Sequence, residues 1–384
     1  MADLKLKLNA GPHHRVHCPV STVLDAPEGT TTATLACGGQ AVPCQCRRDG
    51  DGLRVSWIVQ DLAAGAEAEY EVTLGAGPDG GDGVALTQKT GEIQVDVNGT
   101  HVTSYRYGEE LARPHLYPVI GPYGDGITRE LLKEGEGDHH HHKSIYVSHG
   151  EVNGFNNWAE SEGHGKTVHE SMEAVESGPV LGRIVALGKW VGSPGWVSPH
   201  RGNELLDERT EWTFYNTPDE VRIIDLHLTL TATKLDVLFG DTKEGGLASV
   251  RVMPSMDVKA GLGGKIENAN GGKNEDETWG KRAAWCDYTG PVNDKTVGIT
   301  VMDHPDSFRH PTYWHVRNYG LMTANPFGVS HYHNDPKRRG WHVLSPGESL
   351  VGIYRFYVHK GDAGEAGIGE RYHDFANPPK IETT

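Results

Sequence analysis

The run Ile223-Ile224-Asp225-Leu226-His227-Leu228-Thr229-Leu230-Thr231-Ala232-Thr233 alternates apolar and polar side chains from Ile224 onward. Successive strand residues point to opposite faces, so this run predicts a strand with one face buried and one wet. Its length suits a large sheet. Similar segments lie on either side: Glu92 to Val97, His101 to Tyr107, Val180 to Trp190 and Thr210 to Tyr215 before it, and Val237 to Phe239, Val297 to Met302 and Ser349 to His359 after it. Ser349 to His359 reads as the last strand. Asn98-Gly99 is a strong two-residue hairpin turn signal. Residues 263 to 278 read as a Gly/Asn/Glu-rich loop. No amphipathic helix longer than about three turns and no repeat of fixed period is evident.

Residues 1 to 83 carry shorter alternating runs, at Leu4 to Leu8, Thr32 to Leu35, Leu53 to Val59 and Ala68 to Leu74. The Gly-rich stretch from Gly75 to Gly83 reads as a flexible boundary. The expectation is an all-β chain. A small antiparallel β-sandwich over residues 1–83 precedes a large β-sandwich over 84–384 that carries the site.

The chain has 384 residues, 36 basic and 52 acidic, for a net charge of −16. That balance argues against nucleic acid and against an anionic membrane surface. No apolar run approaches the ~20 residues that span a bilayer. The start, Met1-Ala-Asp-Leu-Lys-Leu-Lys-Leu8, alternates like a strand and lacks the apolar core of a signal peptide. A soluble, cytoplasmic protein is expected. The five cysteines are an odd number. Cys44-Gln-Cys46 also lacks the two-residue spacer of a zinc knuckle, so neither a disulfide framework nor a zinc site is favoured.

Asp138-His139-His140-His141-His142-Lys143 runs into Ser-Ile-Tyr-Val-Ser-His149. Read as a strand, it puts His139 and His141 on one face, and His140 and His142 on the other. Imidazole binds metals and titrates near neutral pH, so a metal or acid/base site competes with a solvated polar loop. Gly163 to Glu170 and Asp241 to Gly246 also gather ionisable groups. The densest segment, His304 to Tyr319, holds three His, two Arg, one Trp and two Tyr, and His331-Tyr332-His333 follows. Aromatic faces beside His and Arg suit a sugar ring and its hydroxyls. Gly-x-Ser-x-Gly, His-Glu-x-x-His and Walker A are absent, no Gly-x-Gly-x-x-Gly follows a strand and opens a helix, and no nucleotide cofactor is expected.

Several motifs together resemble the DUF6807 family, often labelled PmoA-like. They are Arg113-Pro-His-Leu-Tyr-Pro-Val-Ile-Gly-Pro122, the Asp138 to Tyr146 segment, His149-Gly-Glu-Val-Asn-Gly154, Gly240-Asp-Thr-Lys-Glu-Gly-Gly246 and His310 to Gly328. They recur in family order over roughly residues 90 to 360. The label borrows from a membrane monooxygenase subunit, but this chain has no apolar span. The resemblance implies carbohydrate catabolism and a supersandwich of the galactose-mutarotase type. The family's histidine segment reads Asp-His-Pro-His-His-Arg. Here His140 replaces the Pro and Lys143 the Arg, which loosens a turn and loses a bidentate contact.

The leading expectation is an enzyme, a glycoside hydrolase or carbohydrate lyase, that cleaves a glycoside or keto-glycoside by His/carboxylate acid–base chemistry. Its catalytic candidates are His141, His142, Asp241, Glu244 and His315. Its substrate-binding candidates are Lys243, Arg251, His310, Trp314, Arg317, Tyr319 and Asn153. A divalent metal ion on His139, His141 and His315 is the metal-assisted version. A sugar epimerase or mutarotase, and a non-catalytic carbohydrate-binding protein, are the alternatives. In each case the partner is a small carbohydrate.

Overall fold

The computed structural model describes residues 3–75, 77, 83–193 and 204–383. Two antiparallel sheets of eight strands face each other. The first runs, edge to edge, Trp314–Arg317, Leu321–Ala324, Gly245–Arg251, Ile145–His149, His115–Val119, Thr100–Arg106, Glu92–Val97 and Val84–Lys89. The second runs Lys166–Glu176, Leu181–Val191, Glu204–Tyr215, Val221–Thr231, Ser349–Lys360, Lys295–Asp303, Trp285–Val292 and Lys265–Asn268.

Val221–Thr231 lies near the middle of the second sheet and pairs with Glu204–Tyr215 and Ser349–Lys360. Its alternation is literal. Leu226, Leu228 and Leu230 are fully buried, and each such side chain contributes roughly 1.5–3 kcal/mol. Asp225, on the other face, takes a two-pronged contact from Arg355 at 2.7 and 2.8 Å. The inner faces of both sheets share one core, with Leu116, Val147 and Val250 from the first and Trp212, Phe214 and Phe356 from the second.

A smaller sandwich of a five-stranded and a three-stranded sheet holds its own core around Leu6, Leu35, Val55, Trp57 and Val72. Lys380–Thr383 is a further strand beyond Ser349–Lys360, and it joins the five-stranded sheet beside Asp3–Asn9. Ser349–Lys360 is therefore not the last strand. The helix Ile368–Ala376 leads back to that sheet. Arg15 ties down its end by donating to the carbonyls of His373 and Asn377 at 2.7 and 2.9 Å. The Gly75–Gly83 connection lies largely outside the described residues.

Two local expectations change. The 263–278 segment is not a plain loop, since it contains the strand Lys265–Asn268 and the short helix Asn274–Thr278. The histidine run is a turn. His139 has φ +47°, and the amide of His142 donates to the His139 carbonyl at 2.9 Å. The strand begins only at Ile145. The loss of the family's proline does not prevent a turn because Arg129 and Arg113 hold this one from both sides.

Candidate active site

The first large sheet has a polar outer face. Pairing aligns His315, Thr323, Ser249, Tyr146 and His115 in one row across five strands. All five are at most 1 % exposed. Their sequence neighbours Trp314, Val316, Met322, Ala324 and Val250 point the other way, into the core. A sheet face that is both polar and covered calls for an explanation, because unpaired buried polar groups cost free energy. Part of it is internal: the Ser249 and Thr323 hydroxyls meet at 2.6 Å. Gly246 permits this, since a Cβ there would collide with the Thr323 hydroxyl.

The histidine turn covers one end of this face. Arg129 donates to the carbonyls of Asp138, His139 and His142 at 3.0, 2.7 and 3.2 Å, and to the Asp138 carboxylate at 2.8 Å. From the other side, Arg113 donates to the His141 carbonyl at 3.1 Å, to those of Asn157 and Trp158, and to Glu160 at 2.9 Å. Lys143 reaches both carboxylate oxygens of Glu160 at 3.2 Å, and Arg113 supplies a second cation there. Charge-assisted bonds of this kind to buried carbonyls hold a loop rigidly.

The turn gathers three rings rather than splitting them between faces. His139 stacks on His142 at 4.7 Å and on Tyr319 at 5.0 Å, and His141 meets His142 edge-on at 4.5 Å. Arg251 and Arg317 place their guanidinium groups 4.8 and 5.4 Å from the Tyr319 ring centre. His142 is buried, and its Nδ1 accepts from Arg251 at 3.2 Å. Burial, with His141 and Arg251 nearby, drives its pKa well below the usual histidine value. His141 is half-buried and carries no side-chain hydrogen bond among the described residues. Burial and the charge of Arg113 push its pKa down to about 4.

Glu244 and His315 complete the group. Burial pushes the His315 pKa down to about 3, with Glu244 opposing and Arg317 and Lys243 reinforcing. Its Nδ1 receives a hydrogen bond from the Trp279 indole at 3.0 Å. Burial works to raise the Glu244 pKa. The bond from Lys243 at 2.8 Å and the nearby His315 outweigh it, so the carboxylate sits below its ordinary range. His141 is also among its neighbours. The result is an ionised carboxylate near two neutral imidazoles, a combination suited to moving protons.

Of the residues singled out from the sequence, His139, His141, His142, Lys243, Glu244, Arg251, His315, Arg317 and Tyr319 come together here. Four do not. Trp314 is a core residue rather than a sugar platform, because strand alternation turns it away from His315, and its indole donates to the Ala283 carbonyl. Asp241 accepts the amides of Ser330 and Gly340 at 3.2 and 2.7 Å and so anchors a loop. His310 turns to the buried Asp303 at 2.9 Å. Asn153, at φ +50°, braces a turn through Leu238 and Asp236 at 2.7 and 3.1 Å. Among the described residues, no group of three or more His, Cys, Asp or Glu is arranged to hold a metal ion. The expected set of His139, His141 and His315 therefore does not assemble as a metal centre.

Sequence reading missed Arg129, Glu160, Trp158 and Trp279. Trp279 directly follows the 263–278 segment, whose Gly/Asn/Glu composition reads as loop. A cavity of about 720 Å³ also lies between the two sandwiches, far from the histidine turn. Several of the charged groups that line it are already paired, among them Arg183 with Glu211 at 2.6 Å and Arg355 with Asp225 at 2.7 Å. The polar sheet face is the better candidate. No helix among the described residues is long and apolar enough to cross a membrane.

The family described as "Family of unknown function (DUF6807)" matches residues 92–373. None of the curated proteins matches the chain. Among solved structures, an alpha-mannosidase from Enterococcus faecalis V583 superposes with a TM-score of 0.50 at 10% identity, covering 100% of this chain and 46% of that one. A glycosyl hydrolase family 38 protein from Enterococcus faecalis gives 0.49 at 11% identity, with coverages of 100% and 47%. A GalM/aldose epimerase homologue from C. elegans gives 0.30 at 10% identity, covering 73% of this chain and 100% of that one. The chain thus spans about half the length of the two bacterial structures.

Proposed function

We propose a function from one premise: the chain belongs to the DUF6807 family, as the match over residues 92–373 shows. It is a carbohydrate-active enzyme that acts on a sugar bearing a carbonyl, such as a keto-glycoside, by removing an acidified proton next to that carbonyl. The observation that carries this reading is the ionised Glu244, partly exposed just before the strand Gly245–Arg251 of the polar sheet face, with the neutral His315 and His141 among its neighbours. Glu244 is the base. Substrate filling the site displaces water from its carboxylate and raises its basicity. His141, with free ring nitrogens, passes protons to a departing oxygen. The half-exposed Trp279 indole offers an apolar face for a sugar ring. The name of the alpha-mannosidase that shares the fold supports a sugar as the ligand class.

Purified protein incubated with a panel of glycosides and 3-keto-glycosides tests the reading. Turnover of keto-glycosides above glycosides is expected, and no turnover of any panel member would sink it. A mutarotase or epimerase is the second reading, because the same carboxylate–imidazole pair suffices for either. Anomer or epimer exchange seen by NMR without bond cleavage distinguishes it.

A further inference from the structure

Trp279 and His315 meet from distant parts of the chain. Trp279 follows the short helix Asn274–Thr278. That helix is fastened to the His315 strand, because Glu275 ion-pairs Arg317 at 2.9 Å and accepts the Asn318 amide at 2.8 Å. The indole has its own wall. It packs edge-on against Tyr332 at 5.2 Å, and Tyr332 crowds Gly280 and Gly328 so closely that neither has room for a Cβ.

An indole N–H can only donate. At 3.0 Å from His315 Nδ1, it makes that nitrogen the acceptor. A neutral imidazole with an accepting Nδ1 carries its single hydrogen on Nε2. Among the described residues no protein group bonds Nε2, and Nε2 is not one of the sealed, partnerless polar atoms. Glu244, Arg317 and Lys243 all act on the ring electrostatically, so the candidate base is among its neighbours.

We infer that Trp279 is a positioning residue that locks His315 as the Nε2–H tautomer, and that the site uses this neutral imidazole as the hydrogen-bond donor to the carbonyl oxygen of an oxidised sugar. The inference rests on the carbohydrate reading above and refines it. In the step, the C–H bond next to the carbonyl breaks and its proton forms an O–H bond with the Glu244 carboxylate. The C–H electron pair becomes a carbon–carbon double bond, and the carbonyl π pair moves onto oxygen. That oxygen, now an enolate, accepts the shortening bond from His315 Nε2–H. No oxidant or further reactant is needed. The same tautomer bars His315 from being the base, and it bars metal ligation through either nitrogen, since one lone pair is engaged and the other position holds hydrogen. A donor that is neutral adds no third cation beside Lys243 and Arg317. A preorganised donor at a developing oxyanion is among the largest single contributions an active site makes.

The test reads the tautomer directly. In a long-range proton–nitrogen NMR spectrum of the full chain with 15N-histidine, the His315 signals are those lost in His315→Gln. The expected pattern is a protonated Nε2 and a bare Nδ1, unchanged from about pH 8 to about pH 5. Trp279→Phe, which keeps the ring and removes the donor, is expected to bring in the Nδ1–H form. An Nδ1–H or doubly protonated His315 in the wild type overturns the lock, and so does an unchanged tautomer in Trp279→Phe. On a turned-over keto-sugar, His315→Ala is expected to lose roughly 100-fold in kcat with KM little moved, while His315→Gln, whose amide still donates, stays within about tenfold of wild type. Equal losses in the two variants overturn the donor role. Absence of any keto-sugar turnover removes the use assigned to His315, and the tautomer lock is then decided by the spectrum alone.

Discussion

His359 and His315 are each 1 % exposed, on strands of opposite sheets, and their pKa values are displaced in opposite directions. Burial by itself lowers a histidine pKa, and it does so for both. His359, however, donates from Nε2 to Asp287 at 2.9 Å and from Nδ1 to the Lys360 carbonyl at 3.2 Å. The charge and hydrogen bond of Asp287 outweigh burial and raise its pKa. Asp287 is itself secured by the hydroxyls of Thr300 and Thr289 at 2.7 and 2.5 Å. With both nitrogens donating, His359 is an imidazolium whose partners are complete. His315 has an indole where His359 has a carboxylate, and it keeps one nitrogen free. The difference teaches which buried histidine is architecture and which is chemistry: the first has no capacity left over, and the second does.

On that view, changes around His315 strike activity and changes around His359 strike stability. The largest effect is expected from Glu244→Gln, which removes the base while keeping shape. A loss of roughly a thousandfold in kcat with an unchanged melting temperature is expected. Retained turnover would move the base elsewhere. Next is Asp287→Ala, which strands a buried imidazolium. A loss of about 3–5 kcal/mol in denaturant unfolding is expected, and a neutral result would mean that His359 is not charged.

The two histidines also tilt the pH dependence in opposite directions. The folded pKa of His359 is raised, so its contribution is complete below the unfolded histidine value and fades as pH rises through the raised value. His315 is depressed to about 3, so the unfolded chain takes up its proton first. Its contribution is present above the unfolded value and is lost as pH falls toward 3, by up to about 1.4 kcal/mol per pH unit. Melting curves across pH should show His315→Gln flattening part of the acid limb and Asp287→Asn flattening part of the limb above the unfolded histidine value. Identical curves for the variants and the wild type would contradict both assignments. The smallest effect is expected from His140→Ala. That ring meets only the edge of His141, at 5.7 Å, so activity should be unchanged and stability should move by less than about 0.5 kcal/mol.

The strands were legible because period two is a local property. Val221–Thr231, Glu92–Val97 and the Asn98-Gly99 hairpin sit where alternation and turn chemistry put them. Alternation also contained an unused signal. In Tyr313-Trp314-His315-Val316-Arg317 it sets Trp314 and Val316 against His315 and Arg317, which rules Trp314 out of any site that holds His315. The histidine run was misread as strand because its conformation is imposed from outside. Arg129 and Arg113 hold its carbonyls, and no pattern within Asp138 to Lys143 announces them. Trp285–Val292 and Lys166–Glu176 were missed as strands, the first interrupted by Gly290-Pro291 and the second rich in charge.

The sequence by itself determined that this chain is all-β and which side chains were available for proton chemistry. Only the tertiary structure decided which of them are charged, which are neutral and which stand together. Those properties depend on burial and on a partner, and the partners come from far along the chain: Trp279 lies 36 residues from His315, and Asp287 lies 72 residues from His359. A pKa is set by what surrounds a group in space, and local pattern carries no record of that.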